Sequence, residues 1–464
     1  MKRNWTKWLA VMLAGSMLMG CGSQPGNPDG AKLMTADGGT TDGGITGGEA
    51  TGSGAAGSGT TGGGAAGSEA TGGRSEQPDG PGANGEAYSP AWNYEDDGSY
   101  EALRRFSHGL MLENMEEENP LLSPVSAYFA LGMAAMGARG ETLQEFQEIM
   151  GDNMPAVSRK LMEFYPREQE GMVLNIANSA WVDQELTPNG QWVQEIEEIF
   201  RGEGYQGILS SQATMEQINA WCSENTRELV PKMLEDPLDE TARLALLDAI
   251  YFKGDWEIPF DALNTVKQPF TTEDGTRLQV DTMCMTEKNQ RYLHSSLGEG
   301  VLLPYQGGDF AYVAILPEEG TPVRQLYSSL TPEALAELLE SENTELCNLR
   351  LPKYEVSFDR KLNESLQAMG LVRAFEEKLA DFSGLGTTGQ GNPMYISLVR
   401  QKAVFRVDEK GTEAAAVTMV AIAERAALLE PRPRELYFDR PFVYMILHQE
   451  SQIPLFVGIM DNPG

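Results

Sequence analysis

Residues 22–90 cannot supply a core. They hold 22 of the chain's 50 glycines, repeat Gly, Thr, Ser and Ala, and carry one aromatic side chain, Tyr88. Such a stretch buries too little apolar surface to offset the entropy of ordering, so it reads as a disordered tether. Folding is left to the residues from about 91 onward, where 26 glycines in 374 residues is close to ordinary usage. That length can bury a large core. The expected organisation is a signal at 1–21, a tether at 22–92 and one folded domain at 93–464. The run Gly52-Ser53-Gly54-Ala55-Ala56-Gly57 formally matches a dinucleotide fingerprint. With no strand before it and no helix after it, it carries no nucleotide chemistry.

The N-terminus reads as an export signal. Lys2, Arg3 and Lys7 precede a short apolar run from Trp8 to Met19. The run is shorter than the roughly 20 residues a membrane span needs and suits a secretory signal. Leu18-Met19-Gly20-Cys21 resembles a bacterial lipobox, in which the cysteine is lipidated and becomes the mature N-terminus; Met19 is larger than the residue usual there. Ordinary signal cleavage with an incidental Cys21 is the plainer alternative. Lipidation places the domain outside the cytoplasm, on the outer face of a bacterial membrane, with Cys21 as its one membrane contact. A flexible tether of 69 residues would reach roughly 40–50 Å.

Charge narrows the partners. The net charge is −33, and removing the +3 of the first 21 residues and the −6 of the tract leaves −30 on the folded part. Nucleic acid is excluded, because phosphate binding needs a basic footprint. An acidic surface favours solubility and repels anionic headgroups. Beyond Cys21, the cysteines Cys222, Cys284 and Cys347 are odd in number and form no C-x-x-C pair. They read as buried free thiols, not as a disulfide framework or zinc site.

The body reads as α+β. Helical patterns are expected at Tyr100 to Glu116, capped by Ser99, at Ser123 to Gly151, and at Thr187–Phe200, Met215–Lys232, Pro332–Ser341 and Lys361–Met369. Strands are expected at Val173 to Val182, Ile250 to Phe252, Val301 to Leu303, Ala311 to Leu316 and Val404 to Val407. They alternate without a regular βαβ period. No catalytic constellation stands out. His108, His294 and His448 have no metal-binding spacing, and there is no G-x-S-x-G elbow and no Walker A sequence. Glu116-Glu117-Glu118 reads as a solvated helix end. No cofactor and no metal are expected.

Residues 408–441 are the most informative. By strand parity, one face of the segment is Thr412, Ala414, Ala416, Thr418, Val420 and Ile422, uncharged and starting with four small residues. The other face begins with Glu413, Ala415 and Val417. Such a segment can enter a sheet with its first face on a core. An Ala-rich helical turn is equally allowed by propensity. The chain then runs through Glu424-Arg425 into Pro431-Arg432-Pro433-Arg434, which reads as exposed.

Here the sequence resembles the serpin family, over about 370 residues from near Ala91. Glu409-Lys410-Gly411-Thr412-Glu413-Ala414-Ala415-Ala416 is similar to the hinge of inhibitory members. Phe438-Asp439-Arg440-Pro441-Phe442 with Pro454-Leu455-Phe456-Val457-Gly458 is similar to the family's C-terminal signature. Asn119 to Ser126, Gly137 to Gly140, Asp248 to Trp256, Leu351 to Tyr354 and Ala380 to Gly384 match further landmarks in order. The family often has Asn where this chain has Asp248 and His where it has Gln401.

The resemblance implies one domain of three β-sheets and about eight or nine helices, with an exposed reactive-centre loop. It implies a monomeric suicide-substrate inhibitor of serine proteases, not an enzyme. A protease attacks the loop and forms an acyl-enzyme. The hinge side, Glu409, Gly411, Thr412, Glu413, Ala414, Ala415, Ala416 and Thr418, then inserts as a new strand. Ser123, Ser126, Asn178, Asp248 and Gln401 are implied under the sheet that opens, and Trp256 where insertion begins. Family spacing, 14 residues on from Gly411, puts the reactive bond at Arg425–Ala426. Arg425 implies a trypsin-like target, with Ala423, Glu424 and Ala426 as one- or two-residue slips. Arg432 and Arg434 are further cleavage sites without inhibition. The loop is expected to lie outside the sheet until it is cut. A non-inhibitory carrier or scaffold on the cell surface, and an unrecognised surface enzyme, are the competing readings.

Overall fold

The computed structural model describes residues 30–33, 92–95, 97–165, 167–389, 391–412 and 432–464. Cys21, Glu413, Ala414, Ala415, Ala416, Thr418, Arg425 and Ala426 lie outside the described residues, as does the tract at 22–90 apart from Gly30–Leu33.

Nine α-helices surround three sheets among the described residues, matching the expected architecture. The strands of the main sheet are β1 (Gly30–Leu33), β2 (Arg167–Gln169), β3 (Met172–Asp183), β4 (Glu203–Gly207), β5 (Leu244–Asp255), β6 (Tyr354–Lys361), β7 (Ile396–Asp408) and β8 (Gly411–Thr412). Their order is β1-β4-β3-β5-β8-β7-β6, with β2 paired to β3. The second sheet has nine strands, from Arg434–Tyr437 at one edge to Leu121–Leu122 at the other. Leu186–Pro188 and Gly386–Thr388 form the third.

Behind the main sheet runs the helix Pro124–Ala135, every residue of which is buried. It has no polar face because it packs on β3 and β5 on one side and on the strand Ile453–Met460 on another. Pro124 at its first turn and Ser123 as its cap start it, the Ser123 hydroxyl accepting from the Ser126 N–H at 3.4 Å. A Cβ at Gly132 would collide with the Phe200 ring, so the small residues here set how closely the helices approach. Trp92 is already part of the core, so packing begins at the edge of the Gly-rich tract.

Local differences from the sequence reading have tertiary causes. The single helical region expected over Ser123 to Gly151 is two helices, Pro124–Ala135 and Gly140–Met150. Arg139 between them is extended and its N–H bonds the Asp381 carbonyl at 2.9 Å. Tyr100 takes the cap position of the first helix, and the Ser99 hydroxyl, one residue earlier, accepts only a long 3.5 Å bond from the Glu101 N–H. The helix expected from Thr187 starts at Gly190, capped by Asn189, because Leu186–Pro188 pairs as a strand. The helix expected up to Lys232 ends at Asn225, followed by positive φ at Arg227 and Glu228. Cys222 and Cys347 are buried free thiols, and Cys284 is partly exposed.

Candidate functional site

β5 and β7 are the two strands between which a further strand would have to fit. They pair directly and in parallel from Leu244 and Ile396 up to Ala249 and Lys402. Above that point the wedge between them is occupied at its top by β8. Gly411 and Thr412 face Asp255 and Gly254 on β5, and Asp408 and Val407 on β7, antiparallel to both. The expectation of a loop wholly outside the sheet is therefore corrected: its first two residues already sit in the sheet as a strand start. The reason is local. Lys410 turns the chain back with its N–H on the Asp408 carboxylate at 2.9 Å. Gly411 takes φ 155°, and a Cβ there would collide with the Gly254 carbonyl.

Thr412 points inward, as strand parity requires, and is 2% exposed. Its hydroxyl shares a 2.7 Å hydrogen bond with the Tyr305 hydroxyl. The Tyr305 ring stacks on Trp256 at 4.7 Å. Trp256 in turn donates its indole N–H to the Asp408 carbonyl at 2.9 Å and its backbone N–H to the Lys410 carbonyl at 2.7 Å. Trp256 thus lies where the hinge enters the sheet, as expected. Glu409 receives hydrogen bonds from Lys353 at 2.8 Å and Thr265 at 2.7 Å. Burial alone would raise its carboxyl, but these partners hold it below the usual range. The roles of Tyr305, Thr265 and Lys353 were not legible in sequence. Lys353 lies within the quoted Leu351 to Tyr354 landmark, whereas Tyr305 and Thr265 carry no signal of their own.

Lower in the sheet, Asp248 and Gln401 are direct register partners across β5 and β7. The Gln401 amide N–H donates to Asp248 Oδ1 at 3.2 Å and to the Ser123 carbonyl at 2.9 Å, while its Oε1 accepts the Ser123 N–H at 2.8 Å. Ser126 donates to the same Asp248 oxygen at 2.7 Å. This clasp joins both strands to the N-terminus of the buried helix. Asn178 is the register partner of Asp248 on β3. Its amide atoms and Asp248 Oδ2 are buried with no hydrogen-bond partner among the described residues. Burial pushes the Asp248 carboxyl up to about 7, against the opposing hydrogen bonds from Ser126 and Gln401. Ser123, Ser126, Asn178, Asp248 and Gln401 therefore lie together, while Trp256 lies with the hinge.

Among the described residues, the histidines the sequence singled out do not converge on the sheet. His108 stacks on Tyr327 and His448 hydrogen-bonds Ser451 at 2.8 Å, each inside local packing. Arg434, expected in an exposed stretch, opens the strand Arg434–Tyr437, with its guanidinium 4.4 Å over the Tyr292 ring. Arg434 is exposed and stands at the start of an edge strand, while Arg432 lies outside any strand.

The sequence model described as Serpin (serine protease inhibitor) matches residues 102–463. Iripin-2 of Ixodes ricinus is 30% identical over 380 residues, 79% of this chain and 94% of its own length. Tengpin, a thermophilic serpin solved in its native state, superposes with a TM-score of 0.74 at 30% identity, covering 80% of this chain and 96% of its own. Human thyroxine-binding globulin, solved in a thyroxine complex, superposes with a TM-score of 0.70 at 25% identity, covering 78% of this chain and 98% of its own. With nearly the whole folded part matched, the chain belongs to the serpin family of serine protease inhibitors.

Proposed function

We propose that the protein inhibits trypsin-like serine proteases as a suicide substrate, by cleavage at Arg425–Ala426 and insertion of the hinge side into the main sheet. The observation that carries this is β8, a strand start seated between β5 and β7 and followed by an uncharged small-residue face. Continuing its register downward puts Ala414 and Ala416 level with Phe252 and Ile250, and Thr418 level with Asp248 and Gln401. A hydroxyl would arrive between the two halves of the clasp at the moment their direct pairing must break. It can offer both a donor and an acceptor there, so insertion need not leave the carboxyl or amide unsatisfied.

The free energy is adequate. The 14 residues from Gly411 to Arg425 span at most ~46–50 Å extended. They could add some ten to twenty ladder hydrogen bonds at ~1 kcal/mol each. That rivals the roughly 5–15 kcal/mol stability of an ordinary domain. The chain supplies no catalytic group; the protease's own serine attacks the loop carbonyl, and insertion carries the acyl-enzyme away before water resolves it. The domain acts outside the cytoplasm, as a monomer anchored by a lipid on Cys21.

Incubation with trypsin tests the reading. An SDS-stable complex at the summed mass supports it, with the loop cut after Arg425. The likeness to thyroxine-binding globulin favours a second reading, a carrier. In that case trypsin cleaves the loop, no complex forms, and the protease stays active.

A further inference from the structure

The tract that composition assigns to a tether contributes a strand. β1 pairs antiparallel with β4, Gly30 level with Gly207 and Leu33 level with Gly204, and its backbone lies beside the helix Gln212–Asn225. Without it β4 would be the outer edge of the main sheet, its outward N–H and C=O groups open to any strand. The sheet edge thus takes a segment of its own chain as an added strand.

Register fixes which pole of the domain this segment leaves from. β4 runs parallel to β3, with Gly207 level with Asp183. β3 is antiparallel to β5, with Val182 level with Leu244 and Met172 level with Gly254. Gly254 is the partner of Thr412. Gly30 therefore lies at the Asp183–Leu244 end of the sheet, and the hinge at the other. Ten residues of β5, ~33 Å, separate the two levels. Gly30 is only nine residues on from Cys21, at most ~30–32 Å when extended.

We infer that β1 is a docking strand that shortens the anchor to these nine residues and turns the hinge and bait pole away from the anchoring surface. The strand stands on the structure alone; the orientation rests also on lipidation of Cys21. Residues 34–91 then lie outside the path from the anchor to the sheet. The −30 charge of the body opposes collapse onto an anionic surface, which favours an extended leash. A protease would meet its bait at the outer pole. Insertion would then move it toward the pole from which the leash departs.

Two arms test this. In the full mature chain with Cys21→Ser, the registered pair Ala31→Cys/Gln206→Cys is expected to cross-link under mild oxidation. The pair Ala31→Cys/Tyr205→Cys, one residue out of register, faces opposite sides of the sheet and is expected not to. Because cysteine substitution can disturb β4, hydrogen exchange is read on the Glu203–Gly207 amides as well. Ala31→Pro/Lys32→Pro removes two successive N–H groups, one of which must face β4. At least tenfold faster exchange there is expected. Equal cross-linking of both pairs, or exchange unchanged by the prolines, would overturn the docked strand.

The second arm uses the lipid-anchored chain on phosphatidylcholine vesicles carrying a headgroup acceptor. A donor dye is clicked at position 184, near the Asp183 end, or at 258, near the hinge; both are exposed. Given the ~33 Å offset, transfer from 184 is expected to exceed that from 258 by about twofold or more, and the proline pair should erase the difference. Equal transfer from both positions overturns the orientation. A mature chain without lipid on Cys21 overturns the anchor and the orientation with it, while the cross-link still decides the strand.

Discussion

Asp248→Asn isolates the carboxyl at the centre of the clasp. In the unfolded chain this group releases its proton near 3.9. In the fold it holds it to about 7, because burial penalises the charge more than Ser126 and Gln401 support it. Between those values the native state carries a proton that the unfolded state does not. The slope of stability with pH is then negative, about −1.4 kcal/mol per pH unit. The contribution is fully present below about pH 4, falls through the interval, and levels off above about 7, a loss of roughly 4 kcal/mol.

Asparagine copies the neutral acid. Its Oδ1 can accept from Ser126 and Gln401, and its amide N–H₂ stands where the acid O–H would be. The wild type and the variant should match below about pH 4, diverge steadily to about pH 7 and then hold a constant gap, with the variant more stable by roughly 2–4 kcal/mol. The assay is urea unfolding at half-unit pH steps, read as the difference between the two proteins. The difference is needed because burial lowers the pKa of His108 and of His448, which acts on stability with the opposite sign. Their contribution is gained as pH rises and cancels between the two proteins. A flat difference from pH 4.5 to 8 would refute a protonated Asp248 and, with it, the strand clasp as described.

Arg425→Ala should slow association with trypsin by roughly 100-fold or more while leaving the fold intact, measured by progress curves; an unchanged rate moves the bait to another residue. Mass spectrometry of the mature N-terminus should find Cys21 diacylated, and globomycin should block its processing; a chain beginning elsewhere refutes the anchor. Thr412→Arg should lower native stability by several kcal/mol in thermal unfolding, since the side chain is 2% exposed and bonded to Tyr305. Ala416→Arg, on the same inserting face, should instead leave trypsin to cut the loop without being trapped; a wild-type yield of covalent complex would mean that insertion along this face is not the mechanism.

What the sequence made legible follows from what period and composition encode. Strand parity identified the face of Thr412, and the alternation from Val173 to Val182 lies within β3. The buried helix was visible through its small residues, but not its stop at Ala135, which depends on a hydrogen bond from Arg139 to Asp381, 242 positions away. The clasp was accessible only through family resemblance. Asp248 and Gln401 are 153 residues apart and each reads alone as an ordinary polar residue. β1 was invisible for the opposite reason. Gly30–Leu33 has no core to bury and borrows its order from the open edge of β4, so composition around it gives the wrong expectation.

On the proposed insertion mechanism, the two ends of the gap divide the labour of a metastable sheet. At the top, the hinge has already met the cost of turning, and Thr412 and Gly411 hold the first rung of the new strand. At the bottom, β5 and β7 are closed on each other by the Asp248–Gln401 contact and tied to Ser123 and Ser126 on the helix behind. Nucleation is thus complete while propagation is blocked. Each further residue pair must part strands that are themselves hydrogen-bonded until Thr418 reaches the clasp. A carboxyl rather than an amide on β5 makes the strength of that block depend on a proton. Below about pH 7 the neutral acid sits in its buried site without penalty; above it, burial penalises the charged form more than the hydrogen bonds from Ser126 and Gln401 support it, and the closed sheet loses stability. Trapping efficiency and spontaneous insertion should therefore both rise with pH across the same interval, and both should lose that dependence in Asp248→Asn. Inhibition stoichiometry against trypsin at pH 6 and pH 8, set beside the rate at which uncleaved protein loses activity, would show whether the two share one gate.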